Sequence, residues 1–157
     1  MKSLIVYYSY SGTTKTVAHL LKGLMAEKGA VEIIEIKALD ESTNFFKQGH
    51  RAFSDVKARI EDMQFDVSGY DCVCIGTPVW AFGPTPAVKT YLERCSGITG
   101  KEVILFCTSG GSGMDRCLRL MQEALARKGV TNFRKLCFRQ AHVKDRAYVL
   151  STIKESI

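Results

Sequence analysis

Two rhythms of apolar and polar positions take turns along this chain. Near-continuous apolar runs at residues 4–8, 31–36, 72–75, 103–107 and 133–138 read as strands. Between them, apolar residues recur at helical spacing. Val17, Leu20, Leu21, Leu24 and Met25 form one stripe, and Cys117, Leu118, Met121, Ala124 and Leu125 a second. Val88, Tyr91, Leu92 and Cys95 make a shorter one after Pro84 and Pro86, which suit the start of a helix. Gly29 and Gly129 stand where two of these helices should stop. Residues 40–65 are expected to hold an irregular loop and then a helix through Val56 and Ile60, and residues 144–157 a short final helix.

The first, third and fourth runs are unbroken, as in strands covered on both faces. Glu32 and Glu35 interrupt the second and Arg134 and Lys135 the fifth, which marks those two as sheet edges. Strand–helix alternation with short loops predicts an α/β fold with right-handed crossovers. The expected architecture is one three-layer domain over residues 1–157, with a five-stranded parallel sheet of order 2-1-3-4-5. In that order a crevice opens at the carboxyl ends of strands one and three, where the chain direction switches.

Composition narrows the function only slightly. At 157 residues with 46% apolar and 24% charged residues, the chain has enough for one globular core. The apolar run at the start is too short for a signal peptide and no run spans a bilayer, so a soluble, cytoplasmic protein is expected. Six cysteines contain no C-x-x-C pair and fall mostly in apolar runs, which favours reduced, structural thiols and no metal site. The formal charge of +6 suits an acidic partner or a phosphorylated cofactor. The basic residues are dispersed and no nucleic-acid motif is present, so neither nucleic acid nor membrane is expected as a partner.

The chemistry gathers in three loops at the predicted crevice. After strand one comes "SYSGTT", residues 9–14: Ser9, Tyr10, Ser11, Gly12, Thr13 and Thr14. A helix start presents unpaired N–H groups and partial positive charge, and these hydroxyls add donors around it. One cap needs one Ser or Thr, and four hydroxyls in six residues exceed that need, so the loop reads as a phosphate site. It lacks the Walker A spacing and the G-x-G-x-x-G fingerprint, which argues against ATP and NAD here.

The stretch "IVYYSYSGTTKTVAHLL" resembles the flavodoxin signature along its whole length. Ile5, Val6, Tyr7, Ser9, Gly12, Thr14, Ala18 and Leu21 stand at its matching positions. The resemblance implies a flavodoxin-like fold and FMN as cofactor, its monophosphate held by hydroxyls and main-chain amides of the first loop. Lys15 is then a solvated helix residue. The same resemblance implies that residues 77–83 contact the flavin ring: Thr77, Pro78, Val79, Trp80, Phe82 and Gly83. Trp80 and Phe82 are both candidates for stacking, although a tryptophan also packs well in a core. After strand four, Ser109, Gly110, Gly111 and Gly113 expose backbone to the ring's polar edge. They equally suit a strand-to-helix turn with Ser112 or Asp115 as cap. His142, just after strand five, is within reach of the crevice, but a lone histidine is more often structural.

Two departures separate this chain from the family pattern. Flavodoxins are usually acidic, and the loop after strand four lacks the tyrosine that typically covers the ring. "TSGGSG" is more similar to flavodoxin-like NAD(P)H:quinone or FMN reductases. The leading expectation is a non-covalent FMN electron carrier serving a redox partner protein. The second is an FMN-dependent NAD(P)H:quinone or flavin oxidoreductase, and a third is a phosphate-binding module without flavin. A monomer or homodimer is expected. Residues 41–66 carry no assigned role, though "FFKQGHRAF" offers a segment to overhang the crevice or meet a second subunit.

Overall fold

The computed structural model of the protein describes residues 1–40 and 57–157. Its sheet comprises β1 (Lys2–Tyr7), β2 (Ala30–Glu35), β3 (Cys72–Pro78), β4 (Glu102–Ser109) and β5 (Asn132–Arg139). They lie in the order β2-β1-β3-β4-β5 and every neighbouring pair is parallel, as the hydrophobic pattern predicts. The helices are α1 (Thr13–Ala26), α2 (Pro86–Arg94), α3 (Met114–Ala126) and α4 (Arg146–Lys154), with a 3₁₀ turn over Gln140–His142.

Alternation along the central strands feeds two cores. Ile5, Tyr7, Cys74, Ile104 and Phe106 point to the face covered by α1 and α4. Leu4, Val6, Val73, Ile75 and Leu105 point to the face covered by α2, α3 and residues 58–70. On α1, Val17, Leu21 and Met25 are almost fully buried, and each contributes roughly 1.5–3 kcal/mol relative to exposure. At the centre of β3, Gly76 stands beside Phe106 of β4, whose ring lies across the place a side chain would occupy.

The helix expected through Val56 and Ile60 needs correction. Val56 lies outside the described residues, as does the "FFKQGHRAF" segment. At Ile60 the chain is extended and bridges antiparallel to Ala38. The Leu39 N–H bonds the Arg59 carbonyl at 2.8 Å, and the Glu61 N–H bonds that of Lys37 at 2.9 Å. These bonds occupy the groups a helix needs, and Ala58, Ile60, Val67 and Tyr70 still reach the core.

The strands are longer than their apolar runs. β3 continues through Thr77 and Pro78, and β4 through Thr108 and Ser109, all inside the ladder. The six cysteines are free thiols, five of them buried. No helix among the described residues is long and apolar enough to cross a membrane.

Candidate functional site

The four helices among the described residues start in two different ways. Thr85 caps α2 by accepting from the Val88 N–H at 3.4 Å, and Asp145 caps α4 by accepting from the Tyr148 N–H at 3.1 Å. By contrast, α1 and α3 begin at glycines in the left-handed region, Gly12 at φ 91° and Gly113 at φ 95°, which have no side chain to cap with. Both glycine starts follow central strands and face the crevice. Only α3 carries an acidic residue in its first turn, Asp115, so α1 presents the uncompensated positive end. Ser112, expected as a possible cap of α3, instead offers its carbonyl to the Ser109 hydroxyl at 3.4 Å.

Within the first loop the hydroxyls divide their work. Ser9 Oγ accepts from the Gly12 N–H at 3.1 Å and the Lys15 N–H at 3.3 Å, which fixes the turn. Ser11 and Thr13 hydroxyls lie 3.2 Å apart at the surface. Thr14 is buried, its hydroxyl 2.8 Å from that of Thr108. The main-chain N–H groups of Thr13 and Thr14 have no partner among the described residues. That is what an anion site at a helix start requires.

Lys15 does not lend its charge to this site. Its ammonium bonds Glu35 Oε2 at 3.0 Å, and Lys37 lies 3.4 Å from the same oxygen. Burial pushes the Glu35 carboxyl up, but the Lys15 hydrogen bond and the two lysine charges outweigh it, and its pKa falls below the ordinary 4.5. The folded state therefore binds this proton less readily than the unfolded chain. The resulting stability is present above about pH 4.5 and is lost as the pH falls through the depressed value. Glu35→Gln is expected to flatten the loss of stability between pH 5 and pH 3, read as urea midpoints; slopes parallel to the wild type would exclude this linkage. Tyr7 donates to the same carboxylate at 3.2 Å, and burial followed by the Glu35 charge holds its phenol up at about 12.

The second loop turns within four residues. The Trp80 N–H donates to the Gly83 carbonyl at 2.9 Å and the Gly83 N–H returns a bond to Trp80 at 3.0 Å. Ala81 and Phe82 occupy the corners at φ 47° and 63°, the primed-turn geometry that glycine or asparagine usually fills. Each costs on the order of 1–2 kcal/mol in that region, and such strain gathers at functional sites. The turn lifts Phe82 to 50% exposure. Trp80 is only 9% exposed, its ring edge-on to Tyr8 at 5.8 Å and to Tyr10 at 5.7 Å. Phe82 and Tyr10 are thus the open rings, while Trp80 supports them from the core. Thr77 is fully buried, and its hydroxyl accepts from the Thr85 N–H at 3.1 Å to hold the start of α2.

The third loop joins the second. A Cβ built on Gly113 would lie 2.6 Å from Phe82 Cδ1, so only glycine lets the two loops meet here. Ser109 Oγ accepts from the Gly111 N–H at 3.1 Å, and Gly110 and Gly111 are exposed. Pro78 and Val79 are half-buried, with the Val79 N–H bonded to the Thr108 carbonyl at 2.8 Å. His142 is exposed, edge-on to Tyr148 of α4 at 5.3 Å. Beside Ala81 and Gly83, a groove of about 720 Å³ between α2 and α3 is lined by Lys57, Lys89, Arg116, Arg127 and Lys128 against Glu93 and Glu123.

A parallel sheet with an open helix start at its switch point and raised aromatic rings beside it defines a class: α/β domains that bind a flat, phosphorylated ligand across the strand ends. The flavodoxin family model matches residues 2–145, and the chain belongs to that family. Solved structures repeat the fold. A flavoprotein in complex with FMN from Lactobacillus acidophilus shares 24% identity at a TM-score of 0.70, covering 93% of this chain and 98% of that one. Oxidised flavodoxin 2 from Bacillus cereus shares 20% at 0.59, covering 99% of each chain. An NADH:FMN oxidoreductase shares 14% at 0.63, covering 99% of this chain and 88% of that one.

Proposed function

We propose that this protein binds FMN without a covalent bond and carries electrons between partner proteins. The observation that carries this reading is the start of α1, with two partnerless amides at Thr13 and Thr14 and no first-turn acid, set beside the exposed ring of Phe82. These residues fit the cofactor. The Thr13 and Thr14 amides and the Ser11 hydroxyl hold the phosphate, and Phe82 and Tyr10 supply aromatic surface. Residues 78–83 and 109–113 bring main-chain groups to the ring's polar edge. When bound, FMN supplies one- and two-electron redox chemistry. The protein's part is to grip the phosphate, hold the ring and keep water from its covered face.

The basic groove supports an acidic redox partner. Five cations against two carboxylates line it, next to the turn that carries Phe82. A positive rim there steers an acidic protein toward the ring. Six free thiols suit a reducing, cytoplasmic compartment.

One observation favours a second reading, an FMN-dependent NAD(P)H:quinone or flavin oxidoreductase. Gly110 and Gly111 are exposed and the loop from Ser109 to Gly113 has no aromatic side chain, which leaves room for a nicotinamide or quinone over the ring. Purified protein reconstituted with FMN and then desalted should keep the visible flavin bands; a colourless product would remove both redox readings. Holo protein mixed with NADPH and a quinone under air then separates them. No nicotinamide oxidation is expected of a carrier, and steady turnover would establish the enzyme.

A further inference from the structure

Thr108 bonds the first and second loops and leads directly into the third. It is the penultimate residue of β4, opposite Pro78 on β3 and Phe138 on β5, and is 3% exposed. Its carbonyl accepts from the Val79 N–H of the second loop, and Ser109, the next residue, pins the Gly111 N–H of the third. Its hydroxyl reaches the first loop, 2.8 Å from that of Thr14, which is itself 1% exposed.

Two hydroxyls bring two protons, and only one can lie in the bond between them. The second proton has no acceptor among the described residues, although both side chains are buried. A buried O–H without an acceptor is unfavourable, and this one stands at the helix start whose Thr13 and Thr14 amides are also without partners. An anion there accepts from all three groups. It also decides the direction of the pair. If Thr14 donated to Thr108, its lone pairs would face the anion and repel it. If Thr108 donates to Thr14, the Thr14 proton is left for the anion.

We propose that Thr108 is a positioning residue for the cofactor phosphate: its hydroxyl donates to Thr14 Oγ1, which commits the Thr14 proton to a phosphate oxygen. Thr108 thereby sets the preference for FMN over riboflavin without touching the ligand. The inference rests on the FMN reading and adds a residue that lies ninety-four positions from Thr14 in the chain.

The test is a set of dissociation constants for FMN and riboflavin, read by flavin fluorescence. Thr108→Val is expected to weaken FMN about tenfold while riboflavin changes by less than about twofold. Thr108→Ser, which keeps the hydroxyl, should restore the wild-type preference. Thr108→Ala takes the place of the valine should that variant not fold, with the same loss expected. The double variant Thr14→Val/Thr108→Val should bind FMN no more weakly than Thr14→Val alone, because both changes break one relay. An unchanged FMN-to-riboflavin ratio in both the valine and the alanine variants overturns the relay and leaves the FMN reading standing. Losses that multiply in the double variant do the same. A wild-type protein that binds FMN no better than riboflavin overturns the phosphate site itself, and the relay with it.

Discussion

Gly76→Ala is expected to destabilise the fold by about 3 kcal/mol, near the upper end for a single overpacked methyl group. A Cβ at this position would lie 2.0 Å from Cζ and 2.2 Å from Cε2 of Phe106, which is itself fully buried. Phe106 cannot retreat, because β4 is central in the sheet and α1 and α4 close the layer above it. The melting temperature should fall by roughly 6–12 °C for a chain of this size. Replacing the ring relieves the clash, so Gly76→Ala/Phe106→Leu should lose less than the two single changes added together. Unfolding curves for the three variants decide it, and strict additivity would show that the ring and the glycine are not in conflict.

A second substitution should push stability and binding in opposite directions. Thr13→Glu places a carboxylate in the first turn of α1, which carries none. Without ligand, this complements the helix dipole and should raise stability by roughly 0.3–1 kcal/mol. The same carboxylate then stands where the phosphate must bind. Two unit charges about 4 Å apart near a protein surface repel by roughly 4 kcal/mol, so FMN should weaken by about 100-fold or more even after the loop relaxes. Riboflavin, with no phosphate, should keep its affinity. Equal losses for both ligands would move the phosphate away from α1, and a drop in melting temperature would contradict the open helix start.

The strands, the four helices of the described residues and the sheet order were legible because burial leaves a clear mark on the pattern. "LIVYY", "CVCI" and "VILFC" carry no charge, whereas the edges carry Glu32, Glu35, Arg134 and Lys135. The carboxyl ends of β3 and β4 were not legible. Thr77, Thr108 and Ser109 are polar, and hydropathy hands polar residues to loops, yet all three are buried and stay in the ladder. The signal that pointed to Thr108 was present in "VILFCTS", a threonine continuing the most apolar strand of the chain.

Residues 57–65 misled for a related reason. Apolar residues two apart, Ala58 and Ile60, fit an extended segment, and the bridge to Ala38 confirms it. In the first loop the number of hydroxyls could be read from the sequence, but their division of labour could not. Ser9 holds the turn and Thr14 pairs with Thr108, which three-dimensional neighbours decide. The ring loop announced two aromatic residues with no means of ranking them. The positive φ values at Ala81 and Phe82 raise one ring to solvent, while Tyr8 and Tyr10 enclose the other.

Among the described residues, the sheet partitions the interior into two layers that share no side chain. α1, with its open start, is rooted in one, and the Trp80 turn with α2 and α3 in the other. A void opened in either layer therefore slackens a single mooring and spares its counterpart. Sequence drift beneath the start of α1 needs no matching repair beneath the Trp80 turn, so each can be retuned separately, provided the threonine bridge across the strand ends is kept.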